Sequence, residues 1–262
     1  MSTKTYRINE IFYSIQGEGV RAGTAAVFVR FSGCNMRCDV LPGERSPGGF
    51  ACDTEFESGT DMTAVEIMEA IARSTGIVRA LPWVVLTGGE PALQVDADLC
   101  DKLHALGYQI SIETNGSKEL PWKAITVEPP PMAADDLYRV TMLQDGYALH
   151  GFGPTEQAAM ERFNEAHCDR RRLFYPFDWI VVSPKVAEHA IKQRWADEVR
   201  YVRGAGQALP KPAIEDAAVY MLSPASSGDQ IDPAAVATCV ELVKTNPAWR
   251  LSLPMHKFAG VR

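Results

Sequence analysis

Three cysteines in one predicted loop are the residues of this chain with the clearest capacity for chemistry. Cys34, Cys38 and Cys52 follow a predicted strand, with three and thirteen residues between successive members. Thiolates bind soft metals and iron–sulfur clusters, and three thiolates leave one iron of a four-iron cluster without a protein ligand. That iron can chelate S-adenosylmethionine, so that one electron from the cluster cleaves a carbon–sulfur bond. The pattern is therefore compatible with adenosyl-radical chemistry.

Two other interpretations of these cysteines stay open. They fit a zinc site whose fourth ligand lies elsewhere, which would make the protein a zinc-stabilised binding module, or they are unrelated cysteines of one loop. Spacing alone does not separate these interpretations. The remaining cysteines, Cys100, Cys168 and Cys239, lie in predicted helices.

A turn with paired glycines, Thr87 to Pro91, follows a buried predicted strand. Glycines lack a Cβ, so a ligand's ammonium group could approach the backbone carbonyls closely. Because this turn lies one βα unit after the cysteine loop, the combination favours a cofactor site that holds the methionine end of S-adenosylmethionine.

Strands and helices alternate along the chain and must position these residues. Residues 25–31 and 83–86 are apolar runs typical of strands covered on both faces. A capping box at Thr63 and Glu66 predicts a helix that ends near Gly76, and a second helix ends at Gly107. Further strands are predicted at 108–113, 179–182, 199–202 and 219–222. This alternation predicts an α/β fold with a mostly parallel sheet, open or partly closed into a barrel, and a site at the carboxyl ends of the strands.

The segment from about 128 to 175 interrupts this alternation. Residues 138–143 and 147–152 flank a Gln-Asp-Gly turn like the strands of a hairpin, and residues 155–166 could form a helix. We therefore expect one catalytic domain over residues 1–262 that carries a small inserted αβ excursion.

Composition excludes several classes of function. The 262 residues are 46% hydrophobic and 23% charged, as in globular proteins, and the net charge of −7 disfavours binding to nucleic acid or anionic membranes. No secretory signal or apolar stretch of membrane-spanning length occurs in the sequence. We expect a cytoplasmic protein with reduced cysteines and with neither nucleic acid nor a membrane as a partner.

Motifs along most of the chain resemble the 7-carboxy-7-deazaguanine synthase family, the QueE-type radical S-adenosylmethionine enzymes. These motifs are Glu10–Gly19, Arg30–Asn35, Cys52–Thr54, Thr87–Pro91, Glu113–Gly116, Ser183–Lys185 and His256–Lys257. The resemblance implies a modified, partly open TIM-like barrel and a lyase of queuosine-type 7-deazapurine biosynthesis. This lyase would convert 6-carboxy-5,6,7,8-tetrahydropterin to 7-carboxy-7-deazaguanine by a radical ring contraction with loss of ammonia. A related alternative is an activase that installs a glycyl radical on a protein partner.

The resemblance also implies cofactors, partners and site residues. It implies a 4Fe-4S cluster, S-adenosyl-L-methionine and Mg²⁺, a homodimer, and an electron donor such as flavodoxin or ferredoxin. Cys34, Cys38 and Cys52 would hold the cluster, and Thr54 would bind magnesium. Asp53, Gly89, Ser183, Pro184, Lys185 and Ser223 would contact S-adenosylmethionine, although the family commonly has Gln where Ser223 stands. The pterin would contact Ile15, Gln16, Gly17, Arg30 and Thr87, and the catalytic residues would be Glu18, Glu113 and His256.

Three of these side chains also have a chemical reason to bind substrate. The planar fork of Arg30 matches a substrate carboxylate, although a strand arginine can instead pair with a structural acid. The carboxylate of Glu113, like that of Glu18, could accept hydrogen bonds from the amino and ring N–H groups of a pterin.

Overall fold

Two compact units make up the chain in the computed structural model. The first contains Met1–Glu119 and Phe177–Arg262, and the second contains Leu120–Pro176. The described residues are 4–38, 52, 54–121, 125–128, 138–144, 147–166, 175–227 and 230–261.

The first unit is built on a nine-stranded sheet in which seven neighbouring strands are parallel. The strand order is β14-β11-β10-β9-β5-β4-β2-β1-β3, and only the β2–β1 and β1–β3 pairs are antiparallel. The strands of this sheet are β1 (Thr5–Ile15), β2 (Ala25–Phe31), β3 (Thr60–Thr63), β4 (Trp83–Gly88), β5 (Ile110–Thr114), β9 (Trp179–Val182), β10 (Glu198–Arg203), β11 (Val219–Pro224) and β14 (Trp249–Leu251). A separate two-stranded ribbon joins β12 (Ser226–Ser227) to β13 (Gln230–Ile231).

Alternation along the strands gives this sheet two chemically different faces. One face, called here the core face, carries Val29, Leu86 and Ile112, which are paired across β2, β4 and β5 and are fully buried. The opposite face, called here the site face, carries polar side chains on these strands and on β10. Its polar members are Arg30, Thr87, Ser111, Glu113, Glu198 and Arg200.

Among the described residues, four α-helices belong to the first unit. They are α1 (Ala64–Thr75), α2 (Ala97–Ala105), α4 (Pro233–Thr245) and α5 (Met255–Ala259). Thr63 and Glu66 form the predicted capping box of α1, and α1 buries Ile67 and Ile71. Asp96 is the N-cap of α2, where its carboxylate accepts hydrogen bonds from the Leu99 N–H at 3.0 Å and from the Tyr6 hydroxyl at 2.8 Å.

In its described residues, the second unit forms a three-stranded antiparallel sheet and one α-helix. The order is β6 (Ile125–Glu128), β7 (Tyr138–Gln144) and β8 (Tyr147–Gly153), followed by α3 (Glu156–Ala166). Helix α3 packs tightly on β8, because a Cβ at Gly151 would lie 2.5 Å from the Phe163 Cβ. The predicted hairpin and helix are confirmed. This unit extends beyond the predicted limits of 128–175, since β6 pairs with β7.

The mostly parallel α/β sheet predicted from the sequence is also confirmed. Every strand predicted for this sheet occurs, whereas the local sequence patterns do not predict β1, β3 or β14. The strand order is that of an open sheet with β14 and β3 at its ends, so the barrel character stays a prediction. Among the described residues, no helix combines the length and apolar composition that crossing a bilayer requires.

Candidate active site

The cysteine loop begins directly after β2. Met36 donates its backbone N–H to the Cys34 Sγ at 3.4 Å, and the Cys52 N–H donates to the Cys38 carbonyl at 3.3 Å. All three cysteines are thiols outside any disulfide, and burial raises the pKa of Cys34. The structure therefore brings the backbones of Cys38 and Cys52 together.

The ligand sets proposed for this loop stay predictions. Over the described ranges, which omit residues 39–51 and Asp53, the His, Cys, Asp and Glu side chains form no metal-binding group of three or more. The Cys52 thiol donates to the Thr54 carbonyl at 3.6 Å. The donor set nonetheless fits an iron–sulfur cluster by its chemistry, because all three cysteines of the loop are thiols without a disulfide.

Close approach to the end of β2 and to the first residues after it explains both glycines at the end of β4. A Cβ at Gly89 would lie 2.0 Å from the Gly33 carbonyl oxygen, and a Cβ at Gly88 would lie 2.4 Å from the backbone of Phe31. Gly88 also has a φ of 118°, which side chains disfavour. The steric requirement comes from the backbone of this chain itself, while the approach of a ligand to Gly89 stays a prediction.

Glu90 joins this turn to the end of β5. Its fully buried carboxylate accepts hydrogen bonds from the Thr114 hydroxyl and from the Asn115 N–H, each at 2.7 Å. Burial raises the pKa of Glu90, although these hydrogen bonds oppose the shift. The Asn115 side-chain amide lies 3.9 Å from the Cys34 Sγ. These contacts connect the cysteine loop to the carboxyl ends of β4 and β5.

Glu113 brings together two of the predicted substrate-contacting residues. Its carboxylate accepts a hydrogen bond from Gln16 Nε2 at 3.0 Å and another from the Thr87 hydroxyl at 3.4 Å. Gln16 comes from the loop after β1, whereas Thr87 and Glu113 come from β4 and β5. The sheet thus places residues distant in sequence around one carboxylate.

Arg200 connects Glu18 to the same group. Its Nη1 lies 2.5 Å from the Glu18 carboxylate, its Nη2 lies 3.5 Å from Glu113, and its Nε donates to Glu198 at 2.9 Å. Burial opposes the charge of Arg200, but the Coulombic attraction of the three carboxylates outweighs burial and raises the pKa of the guanidinium. The site face therefore holds a buried cation among three acids.

Arg30 pairs with an acid of the neighbouring strand. Its Nη1 lies 3.1 Å from Glu10, and its guanidinium lies 5.2 Å from the centre of the Phe12 ring. The structure thus contains the acid pairing that was the alternative to substrate binding. A guanidinium has five N–H donors, so binding of a substrate carboxylate by Arg30 stays a prediction.

The loop after β1 reaches the opposite end of the sheet. The Gly19 N–H donates to the Ser252 hydroxyl, directly after β14, at 2.9 Å, and the Met255 N–H donates to the Gly17 carbonyl at 2.7 Å. His256 fills the space beside Gly17, where a Cβ would lie 1.9 Å from its Nδ1. The structure therefore places His256 beside the Gln16–Glu18 segment. Ile15, which precedes that segment, ends β1 opposite Ala25.

The segment Ser183–Lys185 lies beside the end of β5. The Ser183 N–H donates to the Thr114 carbonyl at 2.8 Å, and the Lys185 N–H donates to the Asn115 carbonyl at 3.4 Å. Pro184 lies between them. The contacts predicted for these residues with S-adenosylmethionine stay predictions.

Ser223 offers a buried hydroxyl near the same edge of the sheet. Met221 is paired with Arg200 and therefore faces the same side of the sheet. Ser223 lies two residues after Met221, so alternation along β11 places it on the site face as well. Its Oγ is buried and has no hydrogen-bond partner within the described part of the chain. Because buried hydroxyls normally have a partner, this one fits a contact with a bound ligand.

Sequence reasoning missed Glu198, Arg200 and Arg21. The first two alternate with apolar residues in β10, and this pattern of charges in a buried strand could have identified them. Arg21 lies over Trp83 at 4.1 Å and over Trp179 at 5.0 Å, and its Nη2 donates to Ser111 at 2.6 Å. Burial lowers the pKa of Arg21 to about 10. No local pattern predicts a contact that joins three strands.

The fold and the site together define an α/β protein in which a cysteine loop and a charged cluster lie on one mostly parallel sheet. Ligands of such sheets commonly bind at the carboxyl ends of the strands. The turn after β4 and the residues that follow β5 and β9 meet there.

Comparisons with known proteins identify the family. No protein-family model matches the chain. The 7-carboxy-7-deazaguanine synthase of Bacteroides thetaiotaomicron is 32% identical over 256 residues, which cover 98% of each chain. The synthase of Bradyrhizobium diazoefficiens is 32% identical over 265 residues, which cover 98% of this chain and 100% of the relative. The chain belongs to the 7-carboxy-7-deazaguanine synthase family.

Structural comparison supports the shared fold. The crystal structure of QueE from Escherichia coli matches with a TM-score of 0.55 at 21% identity and covers 95% of this chain and 93% of that one. The family assignment rests on the curated relatives. These full-length similarities do not favour the alternatives of a glycyl-radical activase or a zinc-stabilised binding module.

Proposed function

We propose that this chain converts 6-carboxy-5,6,7,8-tetrahydropterin to 7-carboxy-7-deazaguanine in queuosine-type biosynthesis, as a radical S-adenosylmethionine lyase. The observation that carries the proposal is the arrangement of the site on one sheet. The cysteine loop is joined to β5 through Glu90 and Asn115, and β5 carries Glu113 on the site face. Family membership supports the same conclusion.

The cofactor-binding residues proposed for this chain follow the motifs of the sequence. Cys34, Cys38 and Cys52 would hold a 4Fe-4S cluster, which supplies one-electron chemistry when bound. Gly89, Ser223 and the segment Ser183–Lys185 would contact S-adenosylmethionine, and the orphaned Ser223 hydroxyl supports that role. Asp53 and Thr54 complete the proposal as a cofactor contact and a magnesium ligand.

The substrate would lie against the site face. Carboxylates accept hydrogen bonds only, so Glu18 and Glu113 suit the amino and ring N–H groups of a pterin. Thr87, Gln16 and the neighbouring residues Ile15 and Gly17 would fix the ring beside them, while Arg30 and His256 would hold the substrate carboxylate. Fixing the substrate in one orientation is a large part of what such a site contributes to rate.

The finer features of the fold and its partners are also proposals. The hydrogen bond between Gly19 and Ser252 joins the loop after β1 to the strand at the far end of the sheet, which supports a sheet curved as a partial barrel. We propose that residues 1–262 act as one catalytic domain with Leu120–Pro176 inserted in it. We further propose a homodimer in the cytoplasm that receives electrons from a donor such as flavodoxin or ferredoxin.

Anaerobic reconstitution tests the proposal. Protein loaded with iron and sulfide should show charge-transfer absorption in the visible range and should form 7-carboxy-7-deazaguanine from the pterin, as measured by mass spectrometry. Cys52→Ala should abolish reductive cleavage of S-adenosylmethionine while keeping the circular dichroism of the folded protein. Cys239→Ala, which removes a buried thiol from α4, is the matched control and should keep iron and turnover. Turnover by Cys52→Ala, or zinc without iron in the purified protein, would contradict the proposal.

A further inference from the structure

The most densely charged part of the site face has a cation that no sequence motif assigned. The side chain of Arg200 is 6% exposed and contacts the carboxylates of Glu18, Glu113 and Glu198 through its Nη1, Nη2 and Nε atoms. A guanidinium presents its donors in a fixed plane, so acids that contact different nitrogens are held in defined directions. One rigid side chain therefore sets the relative positions of Glu18 and Glu113, which come from different elements.

Glu198 holds Arg200 and the loop after β1 at the same time. Its Oε1 accepts the Arg200 Nε–H, and its Oε2 accepts the Val20 N–H at 3.0 Å. It also fills the space beside Gly19, where a Cβ would lie 2.3 Å from the Glu198 carboxylate. Since Gly19 and Val20 follow Glu18 directly, Glu198 fixes the backbone that presents Glu18.

The balance of charge makes the cation necessary. Three carboxylates converge on Arg200. Within the described part of the chain, Arg21 instead donates to Ser111 and lies over a tryptophan ring, with no direct contact to an acid. Removing the positive partner from a buried ion group leaves uncompensated charge, which is strongly unfavourable. Without Arg200, the acids would repel one another and separate or take up a proton.

We propose that Arg200 is a positioning residue that holds Glu18 and Glu113 as a pair of negatively charged acceptors for the N–H groups along one edge of the substrate, and that Glu198 orients Arg200. This inference rests on the proposed function, because it assumes a planar heterocycle with adjacent amino and ring N–H donors. Two carboxylates held by one guanidinium match such an edge. Arg200 acts through Glu18 and Glu113 rather than on the reacting atoms.

Steady-state kinetics of the reconstituted holoenzyme test the proposal. Arg200→Met should raise the KM for the pterin at least tenfold and lower kcat/KM about a hundredfold, while the KM for S-adenosylmethionine stays within twofold. Arg200→Lys keeps the charge but loses the fork, so it should recover part of the loss. Arg203→Met is the matched control on the same strand, because the Arg203 guanidinium bonds to the Ala208 and Val202 carbonyls. It should leave both KM values unchanged.

A pH profile separates positioning from simple packing. Among the described residues, the charged and titratable groups around the Glu18–Glu113 pair are Glu198 and Arg200 from β10, Arg21 from the loop after β1, and His256 of α5 beside Gly17. In Arg200→Met, crowded carboxylates should retain a proton, so the KM for the pterin should fall as the pH rises from 6 to 8.5. The wild-type enzyme should show a smaller dependence, because the Arg200 guanidinium contacts both carboxylates.

The outcomes distinguish this inference from the proposed function. A wild-type holoenzyme that does not convert the pterin overturns the proposed function and the inference with it. Wild-type turnover combined with a wild-type KM in folded Arg200→Met overturns the inference alone, as does an equal loss toward both substrates. If Arg200→Met does not fold, Glu198→Gln decides: a rise of threefold or more in the pterin KM supports the proposal, and a wild-type KM overturns it.

Discussion

The two faces of the nine-stranded sheet use the same strands for different purposes. On the core face, Leu86 and Ile112 are fully buried next to each other. On the site face, their chain neighbours Thr87 and Glu113 share a hydrogen bond and belong to a charged cluster. Because side chains alternate along a strand, each of these strands places a buried apolar side chain on one face and a polar side chain on the other. Substitutions at adjacent positions should therefore have separable effects on stability and activity.

Ile112→Ala should show the largest effect on stability. Ile112 is fully buried in β5, and truncating a buried isoleucine to alanine typically costs about 2–5 kcal/mol, since the surrounding core relaxes only partly around the cavity. Urea unfolding monitored by circular dichroism measures the change. Activity per folded molecule should stay close to wild type. A loss of activity with unchanged stability would contradict the separate roles of the two faces.

Glu113→Gln, at the next position, should lower activity strongly and leave stability almost unchanged. The substitution keeps the shape of the side chain and leaves Arg200 two other carboxylates, so we expect the free energy of unfolding to change by less than about 1 kcal/mol. It removes a charged acceptor for the substrate, so kcat/KM should fall about thirtyfold, which corresponds to about 2 kcal/mol. Kinetics and urea unfolding of one preparation test both parts. Wild-type kcat/KM would contradict the role given to the site face.

Asp96→Asn should show the smallest effect, through the pH dependence of stability. Burial opposes the charge of Asp96, but hydrogen bonds from Lys4, the Leu99 N–H and the Tyr6 hydroxyl outweigh burial and lower its pKa. A carboxyl with a lowered folded-state pKa stabilises the protein above its unfolded-state pKa of about 3.9, and this contribution is lost as the pH falls through the folded-state pKa.

Stability curves at several pH values measure this effect. Asparagine is as effective as aspartate at a helix N-cap, so Asp96→Asn should lower the free energy of unfolding by at most about 1 kcal/mol at pH 7. The difference from wild type should shrink below pH 4. A difference that grows on acidification would contradict the direction of this shift.

Much of the fold could be predicted because the patterns are local. The apolar run of β2 and the capping box of α1 are confirmed at their predicted positions. Strand β1 was missed because its exposed and buried positions do not alternate regularly along its length. Strand β14 was missed because it is short, and it is recognised only by its pairing with β11.

The candidate site was predictable only in part. The motifs around Glu18, Thr87 and Glu113 identified residues that the structure brings together, and the resemblance to the family supplied roles that local patterns could not. The pairing of Arg30 with Glu10 could be anticipated only as an alternative, since the register between β1 and β2 decides it. Arg200 lies in a strand that was predicted from its apolar residues, so its charge received no role.

By itself, the sequence determined the alternation of strands and helices, the reduced cysteine loop and the carboxylates available for hydrogen bonding, because these depend on residue type and short-range periodicity. Only the tertiary structure decided which charges meet. Arg200 of β10 contacts Glu18, which lies in a loop far away in the chain. The close approach of the Gly33 backbone leaves no room for a Cβ at position 89. Such contacts depend on strand order and register, which the pairing of distant segments fixes and no local pattern encodes.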